Sequence, residues 1–127
     1  MTYVFRNNTI ERFLPGDYTF SGYDDFSAVP DADAYLWWYQ VPIKYNQEQL
    51  AAEVESYAQR LQWVAGQIGQ KPLLILTLES IYNVQTNLSD RRLEQAIETF
   101  NQAAWHLATQ KDNVRVIDFG KFLKQYP

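Results

Sequence analysis

The chain has 127 residues, 46% hydrophobic and 20% charged, which describes a single globular domain (residues 1–127) and excludes disordered or low-complexity character. It holds no cysteine and one histidine, so disulfide scaffolds, thiolate metal sites and Fe–S clusters are excluded, and any histidine triad hangs on His106. A net charge of −4 argues against nucleic acid or an anionic membrane as partner; without a secretory leader pattern or a long apolar run, the expected location is the cytoplasm.

Thr2–Phe5 reads as a short apolar strand. Asn8 and Glu11 have capping-box spacing and predict a short helix to Leu14, stopped by Pro15-Gly16. Tyr18–Phe20 is a second strand, ended by Ser21-Gly22. Between Asp17 and Asp33 lie five Asp and no Lys or Arg, a local charge of −5 against +1 for the remainder, and residues 24–34 have loop composition. Twelve of the 20 aromatic residues fall within the first 45, beside that acidic stretch, which marks it as a surface for a basic partner or as a solvated loop.

Tyr35–Val41 alternates apolar side chains on both faces, as a central strand does, and Pro42 ends its capacity to donate to a ladder. Residues 46–68 form the clearest helix: Asn46 and Gln49 have capping spacing, and Leu50, Val54, Tyr57, Leu61, Val64 and Ile68 recur at intervals of three and four. Gly69 closes it, and Leu73–Leu78 is a continuous apolar run typical of a buried parallel strand. Ser89 opens a second helix, with Leu88 and Leu93 in staple positions and a stripe of Leu93, Ile97, Phe100, Ala104 and Leu107. Val114–Phe119 is a last strand, and Lys121–Tyr126 a helical stub. This order predicts an α/β fold, a three-layer flavodoxin-like or Rossmann-like domain with a mostly parallel sheet of about five strands.

Ligands of such sheets sit outside the carboxyl ends of the strands. That places Asn7, Asn8, Thr9 and Glu11 after the first strand, Gly22 and Tyr23 after the second, Gln40 after the third and Glu79 after the fourth. Asn8, Thr9 and Glu11 suit either a ligand or plain helix capping. Gly22-Tyr23 offers an oxyanion-type amide or simply a turn, and Glu79 is the best acid or base candidate. Asp31-Ala32-Asp33 has the phosphatase Asp-x-Asp spacing but precedes a strand instead of following one. No glycine-rich phosphate loop follows the first strand, so a nucleotide or flavin reading rests on fold alone. His106 is rotated by roughly 200° from Ala104 in the apolar stripe and so faces solvent, away from any triad.

Phe5-Arg6-Asn7-Asn8-Thr9-Ile10-Glu11, Phe20-Ser21-Gly22-Tyr23-Asp24-Asp25-Phe26 and Asp33-Ala34-Tyr35-Leu36-Trp37-Trp38-Tyr39 resemble the N-terminal domain of FkbH-like proteins of the haloacid dehalogenase (HAD) superfamily. Leu74–Glu79 and Asn113–Phe119 look similar too. The resemblance implies an SGNH/GDSL-hydrolase-like fold, normally followed by a magnesium-dependent phosphatase-type domain, and a part in loading a glyceryl unit onto an acyl carrier protein. The SGNH pattern is broken here. Asn7-Asn8-Thr9 stands where a Gly-Asp-Ser nucleophile block belongs, Tyr39-Gln40-Val41 replaces Gly-x-Asn-Asp, and no Asp-x-x-His follows the last strand. The resemblance therefore implies a non-catalytic or vestigial binding domain without metal or cofactor of its own, working with a HAD-type phosphatase domain in cis or trans and an acyl carrier protein. The rival reading is an atypical ester or thioester hydrolase, with Thr9 as nucleophile, Glu79 as base and the Gly22 amide as oxyanion donor, over a crevice lined by Asn7, Asn8, Glu11, Tyr23 and Gln40.

Overall fold

The alternation of apolar side chains in the strands settles which faces are buried. A computed structural model describes residues 1–9, 14, 16–42, 46–79, 91–119 and 121. In it the strands β1 (Thr2–Arg6), β2 (Tyr18–Tyr23), β3 (Ala34–Trp38), β4 (Leu73–Leu76) and β5 (Val114–Ile117) form one sheet, all pairs parallel, in the order β2-β1-β3-β4-β5. This is the flavodoxin-like order, in which the sheet grows both ways from β1 and the topological switch lies between β1 and β3. The register stacks Tyr3, Tyr35, Leu73 and Val114 in one tier and Phe5, Trp37, Ile75 and Val116 in the next. Both tiers face the helices. Val4, Leu36 and Leu76 point the other way, into a smaller cluster joined by Leu14, Phe20, Trp38 and Phe119.

Two long helices cover the first face. Helix α1 (Gln47–Ile68) starts at Asn46, whose Oδ1 accepts from the amides of Glu48 (2.9 Å) and Gln49 (3.2 Å), and ends at Gly69 with φ +64°, a backbone value glycine adopts without strain. All six members of its predicted stripe are buried. Helix α2 (Arg91–Gln110) buries Leu93, Ile97, Phe100, Ala104 and Leu107, again as the periodicity requires. The helices pack on each other, and Arg92 spans the seam with Nε and Nη2 on the two carboxylate oxygens of Glu55 at 3.0 and 2.8 Å. The pair is half-exposed and adds little to stability.

Several predicted boundaries are corrected. β2 does not stop at Ser21-Gly22: those two residues oppose the single Phe5, forming a bulge through which the strand continues to Tyr23. Strands β3, β4 and β5 leave the ladder earlier than predicted, at Trp38, Leu76 and Ile117, although Tyr39, Val41, Thr77 and Leu78 stay buried. The helix predicted after Asn8, the Ser89 helix start and most of the stub after Lys121 lie outside the described residues. His106 is exposed, as its helical phase predicts.

The core and the surface of α2 are separable by mutation. Phe100 is fully buried, so Phe100→Ala leaves a cavity costing about 3–5 kcal/mol; Trp105 is 46% exposed, and Trp105→Ala stays within about 0.5 kcal/mol of the parent. Urea unfolding followed by far-UV circular dichroism reads both.

Candidate functional site

Where β1 and β3 end, the chain parts into loops while its backbone is still partly covered, so those peptide groups need partners. Asn7 supplies them. Its Oδ1 accepts from the Gln40 amide at 2.9 Å while its Nδ2 donates to the Gln40 carbonyl at 2.7 Å, so the carboxamide continues the β1–β3 pairing one step past Trp38. Nδ2 also donates to the Tyr57 hydroxyl at 3.1 Å, and Oδ1 accepts from Asn8 Nδ2 at 3.2 Å. A carboxamide has two donor and two acceptor positions, and all four are filled. Asn8 Nδ2 further donates to the Trp38 carbonyl at 3.1 Å. Asn7, Asn8 and Gln40 thus come together at the switch point, as their sequence positions predict, and bind one another and the strand ends.

A second group continues outward from this floor. Tyr39, 1% exposed and stacked on Trp37 at 4.2 Å, donates to Asp24 Oδ1 at 2.9 Å. Asp24 has a left-handed φ of +52°, and its amide donates to the Arg6 carbonyl at 2.8 Å. Both Asp24 oxygens accept from Arg60 Nη1, at 2.6 and 2.5 Å, and the guanidinium lies 5.3 Å from the ring centres of Phe26 and Tyr57. Burial, with the neighbouring Asp24 charge next, pushes the Tyr39 hydroxyl far above its ordinary value; burial, followed by Glu53, does the same to Tyr57. Both remain neutral hydrogen-bonding groups through the physiological range.

The other candidates are dispersed. Tyr23 is 60% exposed, with the Arg6 guanidinium 4.6 Å above its ring. Gly22 is exposed at the bulge, where an added Cβ would meet only Asp25, at an ordinary 3.5 Å. Thr9 is exposed, and its hydroxyl makes no hydrogen bond among the described residues. Glu79 is half-buried beyond β4, beside a cavity of about 420 Å³ that it shares with Glu94, Glu98, Asn101 and Trp105. β3 lies between β1 and β4, which separates the strand axes leading to Thr9 and Glu79 by about 9–10 Å. Glu11 lies outside the described residues. Among the described residues no cluster of three His, Asp or Glu side chains is placed to hold a metal, and no helix is long and apolar enough to cross a membrane.

The acidic stretch is largely paired within the chain. Asp24 binds Arg60, Asp31 binds Lys71, Asp33 binds the amino terminus, and Asp25 accepts from the Ser27 hydroxyl and amide. The hydrogen bond from the Lys71 ammonium to Asp31 raises the lysine above its ordinary range, and the bonds from Ser27 lower Asp25.

The sequence reading missed Tyr39, Tyr57, Asp24 and Arg60 as a connected group. The available signal was chemical: Tyr39 and Tyr57 occupy core positions of the predicted strand and helix, and a buried phenol ordinarily finds a polar partner.

Fold and site together define a flavodoxin-like α/β domain with a hydrogen-bonded polar floor at its switch point. No protein-family model, curated protein or solved structure matches the chain.

Two outcomes follow from this geometry. Asn7→Ala strands both Gln40 backbone groups and lowers stability by about 2–3 kcal/mol, and Asn7→Asp, which cannot donate to the Gln40 carbonyl, restores only part of the loss in urea titrations. Above pH 10 the unfolded chain releases tyrosine protons that folded Tyr39 and Tyr57 retain, so stability present below pH 10 is lost as pH rises, by up to about 1.4 kcal/mol per unit for each. Tyr39→Phe flattens that slope in denaturation curves collected between pH 9 and 12.

Proposed function

We propose that this chain is a cytoplasmic, non-catalytic SGNH-like accessory domain of the FkbH-like kind, which engages the machinery that transfers a glyceryl or acyl unit to a carrier protein. Its partners are a HAD-type phosphatase domain, in cis or in trans, and the acyl carrier protein. The resemblance of the β1, β2 and β3 segments supplies the family, and the flavodoxin-like strand order agrees with it.

The observation that carries the non-catalytic part is the state of Asn7. At the position of a nucleophile block, its carboxamide has every hydrogen-bonding position filled by Gln40, Tyr57 and Asn8. The neighbouring hydroxyl, Thr9, has no carboxylate or imidazole bonded to it among the described residues. Glu79 lies past the end of β4, which is two places from β1 in the sheet, and His106 is on the exposed side of α2. Nucleophilic catalysis needs the nucleophile within hydrogen-bond reach of its base, and these residues are spread over separate elements.

The purified chain is therefore expected to hydrolyse p-nitrophenyl acetate and butyrate no faster than buffer, with Thr9→Ala unchanged. Calorimetric titration with the phosphatase-type protein and the holo carrier protein of the same host is expected to show binding to at least one, with Kd tighter than about 100 μM. A burst that disappears in Thr9→Ala would establish the hydrolase instead, and heat-silent titrations with both proteins would remove the accessory role.

A further inference from the structure

Between α1 and the loop that follows β2 lies a cavity of about 320 Å³, lined by Phe26, Ser56, Gln59, Arg60 and Trp63. Its composition is unusual for a solvated helix face. Trp63 is 44% exposed and meets the half-buried Phe26 edge-on at 6.1 Å, so an exposed ring and a partly covered one stand beside a guanidinium. Arg60 is fixed rather than mobile: Nη1 is held by both oxygens of Asp24, and its guanidinium stacks near Phe26 and Tyr57. Its Nε and Nη2 make no hydrogen bond among the described residues. A guanidinium whose carboxylate partner uses one nitrogen retains the edge formed by the other two, and that edge matches the two oxygens of a carboxylate.

The support behind Arg60 is layered. Asp24 is held by the Tyr39 hydroxyl and by its own amide on the Arg6 carbonyl, in a left-handed backbone conformation that few non-glycine residues adopt. Tyr39 in turn is locked by stacking on Trp37 and by edge contact with Tyr57 at 5.0 Å. A charged group whose orientation is fixed through two successive shells, beside exposed aromatic surface, is built as binding groups are built.

We infer that Arg60, Trp63 and Phe26 form a binding site for a carboxylate carried on a flat, apolar body, either a small aryl carboxylate or the free C-terminus of a peptide ending in an aromatic residue. Asp24 already balances the arginine charge, so recognition rests on directed hydrogen bonds and ring contact, and affinity for a minimal ligand is modest. The inference does not depend on the accessory role proposed above and is tested without either partner protein.

The test is an NMR titration of the labelled full chain, following the Trp63 indole N–H, assigned by its loss in Trp63→Phe. Benzoate is expected to shift that signal saturably with Kd on the order of 1 mM, and benzamide, its uncharged isostere, to bind at least about tenfold more weakly. Arg60→Lys keeps a cation for Asp24 but lacks the fork, and is expected to weaken benzoate by about tenfold. Trp63→Ala, which leaves the Asp24 pair untouched and is followed through the backbone amides of Ser56 and Gln59 in the same cavity, weakens it several-fold and serves if the arginine variant does not fold. A hexapeptide ending in Phe, free or amidated at its C-terminus, separates the two sources: tighter binding of the free form than of benzoate selects the peptide, and weaker binding the small acid. Equal binding of benzoate and benzamide, or no saturable shift up to about 20 mM benzoate, would reduce Arg60 to a clamp on the loop and overturn the inference.

Discussion

A sheet that grows in both directions from β1 must send its connections to opposite faces, because crossovers between parallel strands are right-handed. Between β1 and β2, Leu14 packs with Val4, Leu36 and Leu76 on the face away from the helices. The connections from β2 to β3, β3 to β4 and β4 to β5 move the other way and share the second face. Two of these are helices. The third is the acidic loop, and Phe26, Val29 and Ala32 place it against the same core as α1 and α2. A helix position is thus filled by a segment without regular structure, and that substitution explains much of what is distinctive here. The loop has no internal ladder to satisfy its polar groups, so it is pinned from outside: by Lys71 and the amino terminus, by the Tyr35 hydroxyl on the Pro30 carbonyl at 2.6 Å, and by Arg60 from α1.

The same need for partners shapes the carboxyl ends of the strands. β3 and β4 leave the ladder while the chain still runs through the interior, and the missing strand-to-strand bonds are made by side chains. Asn7 pairs with both backbone groups of Gln40. Asn101, from α2, does the same for Leu78, accepting from its amide at 2.8 Å and donating to its carbonyl at 3.2 Å. Thr77 accepts the Phe119 amide at 2.8 Å. Each carboxamide or hydroxyl acts as a short substitute for an absent strand. Arg60, at the rim, keeps Nε and Nη2 without a hydrogen bond among the described residues.

The periodic parts of the chain were legible because burial on one side of a helix, or both sides of a strand, leaves a repeating trace in residue type. Leu50 to Ile68, Leu93 to Leu107, and the alternation through Trp37 and Ile75 carry that trace directly. Strand ends were less legible for a physical reason: Tyr39, Val41 and Leu78 remain apolar because they remain buried, although their backbones have left the ladder. Ser21-Gly22 resembles a stop, yet a bulge accommodates the same residues without ending the strand. The Asp24–Arg60 pair was invisible for a different reason. The residues are 36 apart in sequence, and Arg60, at the edge of an apolar stripe, is indistinguishable by pattern from a solvated arginine.

The acidic stretch illustrates how far local charge counting carries. Counted in sequence, −5 over seventeen residues describes a field that attracts bases. Folded, Asp24, Asp31 and Asp33 each face a cation of the same chain, and Asp25 is engaged by Ser27. The pairs at Asp31 and Asp33 are exposed and contribute little to stability, but each still brings a positive charge to the loop and reduces what a distant partner senses. The Asp24 pair is different in kind, since both side chains are mostly shielded and a buried phenol donates to the same carboxylate. Recognition at this face is consequently short-ranged, governed by the geometry of Arg60 and the rings beside it rather than by the net charge of the loop.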